Sequence, residues 1–198
     1  MSHYYEKKQF SPLDLQKFSI VIRGNGLELY TGSGVFSKSK VDKGSMLLAE
    51  NAIIQEGWKV LDFGCGYGAI GIAIAKDNPS TDVLMSDINK RAVMLSKRNI
   101  EINNLKNARA MQSDLFENID EKFNTILLNP PQAAGKDLCI KMIEQSKDFL
   151  LPKGLFQMVA RHNIGGRELE KHMVRIFGNV KEIAKKSGYR IYVSEKID

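Results

Sequence analysis

From Trp58 to Val193 short apolar, β-prone runs alternate with longer helical ones, and this alternation is what most narrows the folds open to the chain. Strands are predicted at 60–63, 82–86, 108–112, 125–128, 155–160, 180–185 and 189–193, and helices at 69–76, 89–103, 137–150 and 166–177. In the second of these helices Ala92, Leu95, Asn99 and Ile102 recur at three- and four-residue steps on one face. A strand that must wait for a helix before its neighbour returns in parallel, and the helices then cover both faces of the sheet. The last two strands are separated only by Lys186-Ser187-Gly188, too short for a crossover, so they form a hairpin. The expected fold class is α/β: a single Rossmann-like, doubly wound, mostly parallel seven-stranded sheet with an antiparallel edge strand.

Upstream, β-prone runs at 18–23 and 27–31 flank Gly24-Asn25-Gly26, a turn signal, and predict a small N-terminal β-hairpin. A Gly-, Ser- and Lys-rich loop follows, then a helix from Met46 to about Gln55. One domain is expected over 1–198: an N-terminal extension at 1–17, the hairpin, loop and helix at 18–57, and a catalytic α/β core at 58–198. No apolar run approaches the roughly 20 residues of a membrane span, and the first residues lack the apolar stretch of a secretory signal. Cys65, Cys139 and the three histidines have no metal-ligand or disulfide spacing, so neither a metal nor a membrane is expected, and the expected location is cytoplasmic. A net charge of +6 favours an anionic partner, nucleic acid foremost. Nothing in the sequence speaks to the oligomeric state.

The first predicted core strand runs through Asp62 into Phe63-Gly64-Cys65-Gly66-Tyr67-Gly68 and then into an apolar helix. Glycines let the backbone turn sharply and let a ligand approach N–H groups at the helix start. Two details separate the loop from a dinucleotide site: the spacing is G-x-G-x-G, and an acid stands where it would repel a pyrophosphate. A ligand carrying an ammonium group suits that acid, as the methionine end of S-adenosylmethionine does. Asp87 closes the second strand, where a carboxylate can accept both hydroxyls of a ribose or cap the next helix; Asn89 is able to do the capping alone. Asp114 follows the third strand and reads either as an acceptor for an adenine amino group or as a turn residue.

Asn129-Pro130-Pro131 ends the fourth strand. Neither proline has an N–H for the ladder, and each holds its predecessor extended, so the strand stops in a stiff corner. Such a corner presents the Asn129 amide oxygen and the Pro130 carbonyl oxygen. An exocyclic amine conjugated to a base is a poor nucleophile because its lone pair is delocalised. Two acceptors on its N–H bonds favour the tetrahedral geometry and stabilise the charge that grows as it attacks a methyl group. Downstream, Arg161 follows a predicted strand end, and with Lys38, Lys40, Lys43 and Arg167 it forms either a phosphate-contacting rim or a solvated face.

The ordered set DFGCGYG, SDIN, SDLF and NPP resembles class I S-adenosylmethionine-dependent methyltransferases acting on nitrogen. With Gly34-Val35-Phe36-Ser37, Asp42-Lys43-Gly44-Ser45 and Leu47-Leu48 added, residues 18–198 resemble the small-subunit ribosomal RNA guanine-N2 methyltransferase family and the archaeal stand-alone proteins that share its domain. The resemblance implies that Asp62, Gly64, Gly66 and Gly68 cradle the methionine part of the cofactor, Asp87 the ribose and Asp114 the adenine. Gly44 and Ser45 approach the cofactor, Asn129 and Pro130 hold the target amine, and Phe36, Ser37, Pro131, Gln132 and Arg161 line the substrate side. Family members often carry an aromatic residue where this chain has Gln132, so base stacking is expected from elsewhere. The expected substrate is a base in RNA, a guanine in rRNA or tRNA. Two alternatives stand beside it: methylation of a protein glutamine, and a non-catalytic cofactor-binding subunit.

Overall fold

The computed structural model describes residues 14–35, 40–131 and 135–197. Strands β1 (Leu15–Ile22) and β2 (Asn25–Gly32) form the expected hairpin, but its turn is Arg23-Gly24 instead of Gly24-Asn25-Gly26, with Ile22 paired to Asn25. Both turn residues are left-handed, with φ of 52° and 73°, as a two-residue type I′ turn requires. Arg23 accepts that conformation because its guanidinium is held by the Asp77 carboxylate and the Ala49 carbonyl, which docks the turn on the helical layer.

Helix α1 (Lys43–Asn51) starts three residues before the expected Met46, and it ends before Gln55. The cause is Asp42, whose Oδ1 accepts from the N–H groups of Gly44 at 2.9 Å and Ser45 at 3.1 Å and so satisfies the open first turn. The core then runs β3 (Lys59–Phe63), α2 (Ala69–Asp77), β4 (Asp82–Asp87), α3 (Lys90–Ile102), β5 (Ala108–Gln112), β6 (Phe123–Leu128), α4 (Lys136–Ser146), β7 (Leu150–Arg161), α5 (Arg167–Phe177), β8 (Lys181–Lys186) and β9 (Tyr189–Glu195). The seven-stranded sheet has the order β5-β4-β3-β6-β7-β9-β8. Its first five strands are parallel; β9 is inserted between β7 and β8 and runs against both, giving the antiparallel edge. Strand β7 starts earlier than the expected Leu155, because an irregularity between Phe123 and Thr125 lets Leu150 pair as well.

Alternation along β3 divides the core into two layers. Val60 joins a cluster with residues of α1, α2 and α3, such as Leu48, Ile72 and Leu95. Leu61 and Phe63 join Met142 of α4 and Leu169 and Met173 of α5 on the opposite face. Asp62 therefore points at α2. That helix lies close because it has Gly71 at the contact, where a Cβ would stand 2.6 Å from Met85 Cγ. The parallel strands all end at one edge, and the chain reversal on either side of β3 leaves a crevice there.

Candidate active site

At that edge lies a cavity of about 500 Å³. Gly64, Gly66, Ser86, Asp87, Asp114, Asn129, Pro130 and Pro131 line it from the strand ends, Ser45 from α1, and Arg161 from the end of β7. Phe63, Ile70, Leu138 and Met142 add apolar surface. Most of the expected site residues thus meet in one place although they are spread over more than a hundred positions. Gly44, Asp62 and Gly68 are not in the wall. Gly44 packs beneath Tyr189, whose Cε1 would be 2.9 Å from an added Cβ. Gly68, at φ 89°, starts α2 against Met85 and Ser96. Phe36, Ser37, Gln132 and the rim residue Lys38 lie outside the described residues.

Two carboxylates brace the glycine loop and the helix that follows it. Asp62 Oδ2 accepts from Gly71 N at 2.8 Å, below the loop. Asp87 Oδ2 accepts from Gly66 N at 2.9 Å, and its Oδ1 from Asn89 N at 2.8 Å. Each Asp87 oxygen keeps a second acceptor site. Helix α3 is capped by Asn89, whose Oδ1 accepts from Arg91 N at 2.9 Å, so Asp87 is not needed for that task. Burial raises the Asp87 carboxyl to about 6. Asp62 is raised to about 7, first by burial and then by the neighbouring Asp87 charge. Both folded-state values lie above the ordinary carboxylate range, so ionising this pair costs stability as pH rises through that interval. A cation placed against them lowers the cost.

Asn129 sits at the tip of β6 with its amide clamped. Its Nδ2 donates to Ser45 Oγ at 2.9 Å and reaches Asp42 Oδ1 at 3.3 Å. An ionised carboxylate only accepts, so the NH2 end of the amide must face α1. The oxygen end has no hydrogen-bond partner among the described residues, and Asn129 belongs to the wall of the cavity. The same Asp42 oxygen that caps α1 therefore sets the direction of the Asn129 carbonyl. Sequence reading placed Asp42 in a loop; an Asp immediately before a helical run was the signal that could have found it.

Beyond β7 the chain makes a wide helical turn at His162–Gly166, with Ile164 and Gly165 outside helical dihedrals. Ile164, 59% exposed, lies in the cavity wall with Tyr189, the first residue of β9, and Arg161 stacks its guanidinium 5.4 Å from the Tyr189 ring centroid. Neither Ile164 nor Tyr189 is marked by any local motif.

The family description "Methyltransferase small domain" matches residues 26–193. The chain belongs to that family. This methyltransferase is 37% identical to the uncharacterized protein YbxB of Bacillus subtilis over 98% of both chains. It is 34% identical to ribosomal RNA small subunit methyltransferase C of Hamiltonella defensa over 84% of its own length and 49% of that protein's. Its fold superposes on a T. thermophilus 16S rRNA N2 methyltransferase, solved with AdoMet and guanosine, with a TM-score of 0.83 and 28% identity, covering 95% of this chain and 52% of that one. The chain spans about half the length of the rRNA methyltransferases it matches. It is a class I S-adenosylmethionine-dependent methyltransferase.

The cavity fits that cofactor on its own features. Ser86 belongs to the wall, and its buried Oγ has no hydrogen-bond partner among the described residues. Gly64 has a left-handed φ of 71°, and a Cβ there would stand 3.6 Å from Met142 Cε in the same wall. The buried Asp87 and Asp62 favour a positively charged occupant over a phosphate.

Proposed function

We propose that the chain methylates the exocyclic amine of a base in RNA, a guanine of rRNA or tRNA. The observation that carries this reading is the Asn129 amide, turned by Asp42 and Ser45 so that its oxygen is left to accept from the target. The names of the relatives support the choice of RNA and of a guanine amine, and the net charge of +6 suits a polyanion.

When bound, S-adenosylmethionine supplies an electrophilic sulfonium methyl group. The Gly64–Gly66 loop and Asp87 would hold it: the loop by close backbone approach, Asp87 by accepting from the ribose hydroxyls, and Asp114 by accepting from the adenine amino group. Asp62 would act from beneath the loop through its charge and its bond to Gly71. Asn129 Oδ1 and the Pro130 carbonyl would accept the two N–H bonds of the target amine, orient its lone pair and stabilise the positive charge developing on nitrogen. The proton leaves once the nitrogen has become cationic, so the site needs no strong base. Pro131 and Arg161 would bound the substrate side, with Phe36, Ser37 and Gln132 completing it.

Incubation with tritium-labelled cofactor and either total RNA or total protein tests the reading. Label is expected in RNA, with N2-methylguanosine in the nucleoside digest. Label in protein alone would transfer the same corner to a glutamine amide, and label in neither would leave a cofactor-binding subunit. Cofactor binding should also depend on pH. Hydroxyl donors and a cationic ligand favour the ionised Asp87, whose carboxyl sits at about 6, so affinity should fall as pH drops below that value, approaching about tenfold per unit. Calorimetry between pH 5 and 8 reads this directly, and a flat profile would remove Asp87 from the binding site.

A further inference from the structure

A second groove adjoins the cavity, and Tyr189 belongs to the walls of both. It is lined by His162, Asn163, Lys185, Lys186, Ser187, Gly188, Tyr189 and Arg190, a set with cations and no acid. We propose that this groove carries the phosphate backbone of a single-stranded RNA segment flanking the target nucleotide, so that the strand crosses the β8–β9 turn before its target base enters the cavity. The proposal rests on the RNA reading above and adds the route by which the strand arrives.

Three features make the groove a formed surface instead of a scatter of lysines. Its outer wall is a two-residue type I′ turn, in which Ser187 and Gly188 both take left-handed φ values of 51° and 82°. That turn is tied to the opposite wall by His162 N donating to Gly188 O at 3.0 Å. The floor is fixed as well. Arg167 Nε can only donate, so His162 Nε2 accepts from it at 2.7 Å, and the ring proton must sit on Nδ1, 2.6 Å from the hydroxyl of the buried Tyr192. Arg190 is already paired with Glu182. Lys185 and Lys186 have no ion-pair partner among the described residues and are exposed. Lys185 and Lys186, exposed at the end of β8 where it enters that turn, bring positive charge to a groove that shares Tyr189 with the cavity; this suits a phosphodiester chain, and contacts of this kind position a strand without reading its sequence.

The full chain with Lys185→Ala and Lys186→Ala together supplies the test, read by fluorescence anisotropy with a labelled single-stranded RNA oligonucleotide of mixed sequence. The expected result is about a tenfold loss of RNA affinity, with the slope of log affinity against log salt reduced by about 1.4 for two lost phosphate contacts. Affinity for S-adenosylhomocysteine and the thermal midpoint should stay at the parent values. RNA affinity and salt slope equal to the parent's would overturn the groove while leaving RNA methylation standing. A parent protein that binds no RNA and labels only protein would overturn both.

Discussion

Asn129→Ala should lower turnover by about 100-fold, and by no less than tenfold, while cofactor affinity stays within about twofold of the parent. The size follows from what the side chain does. A fixed polar partner aimed at developing charge is worth roughly 100- to 1,000-fold in turnover when removed, because no solvent reorganises to replace it at the moment of reaction. Cofactor affinity should be spared because the proposed contact is to the target amine. Asp42 and Ser45 lose a donor but remain linked to each other through the helix cap, Ser45 N to Asp42 Oδ1 at 3.1 Å, so α1 should hold. Single-turnover kinetics with saturating cofactor, run beside calorimetry, separates the two quantities. Parent-like turnover would refute the corner as the site of chemistry.

Asp87→Ala should weaken cofactor binding by about 100-fold or more. Each hydroxyl-to-carboxylate hydrogen bond contributes about 1.5–3 kcal/mol, and two are lost together. The substitution also frees Gly66 N and Asn89 N, which now converge on the two Asp87 oxygens, so the loop loses its brace along with its acceptor. Stability of the ligand-free fold should change little, because relief from burying a carboxyl raised to about 6 offsets the loss of its bonds to those two N–H groups. Asp87→Asn keeps one acceptor oxygen and should fall between parent and alanine. Unchanged affinity in the alanine variant would dispose of the ribose assignment.

The architecture was legible because parallel sheets announce themselves: Val60-Leu61 and Thr125–Leu128 are apolar runs bounded by turn residues, with helices between. The glycine loop, Asp87 and Asn129 were legible for a related reason, since residues at the carboxyl ends of such strands are brought to one edge whatever lies between them. What could not be read were contacts made by long-range packing. Gly44 beneath Tyr189 is one: its contact lies on a strand near the far end of the chain. The Arg23-Gly24 turn is another, because the pull on Arg23 comes from Asp77 in α2. The partners of the Asn129 amide are a third, since nothing in Asn-Pro-Pro says that Asp42 and Ser45 will stand opposite.

One carboxylate oxygen, Asp42 Oδ1, closes the start of α1 and also reaches the amide at the tip of β6. Winding of that short helix and aim of the Asn129 carbonyl are therefore coupled. A disturbance that frays the first turn, even one made on the outer face far from any ligand, releases the carbonyl to rotate. Under the proposed mechanism, turnover should then be lost before the fold is.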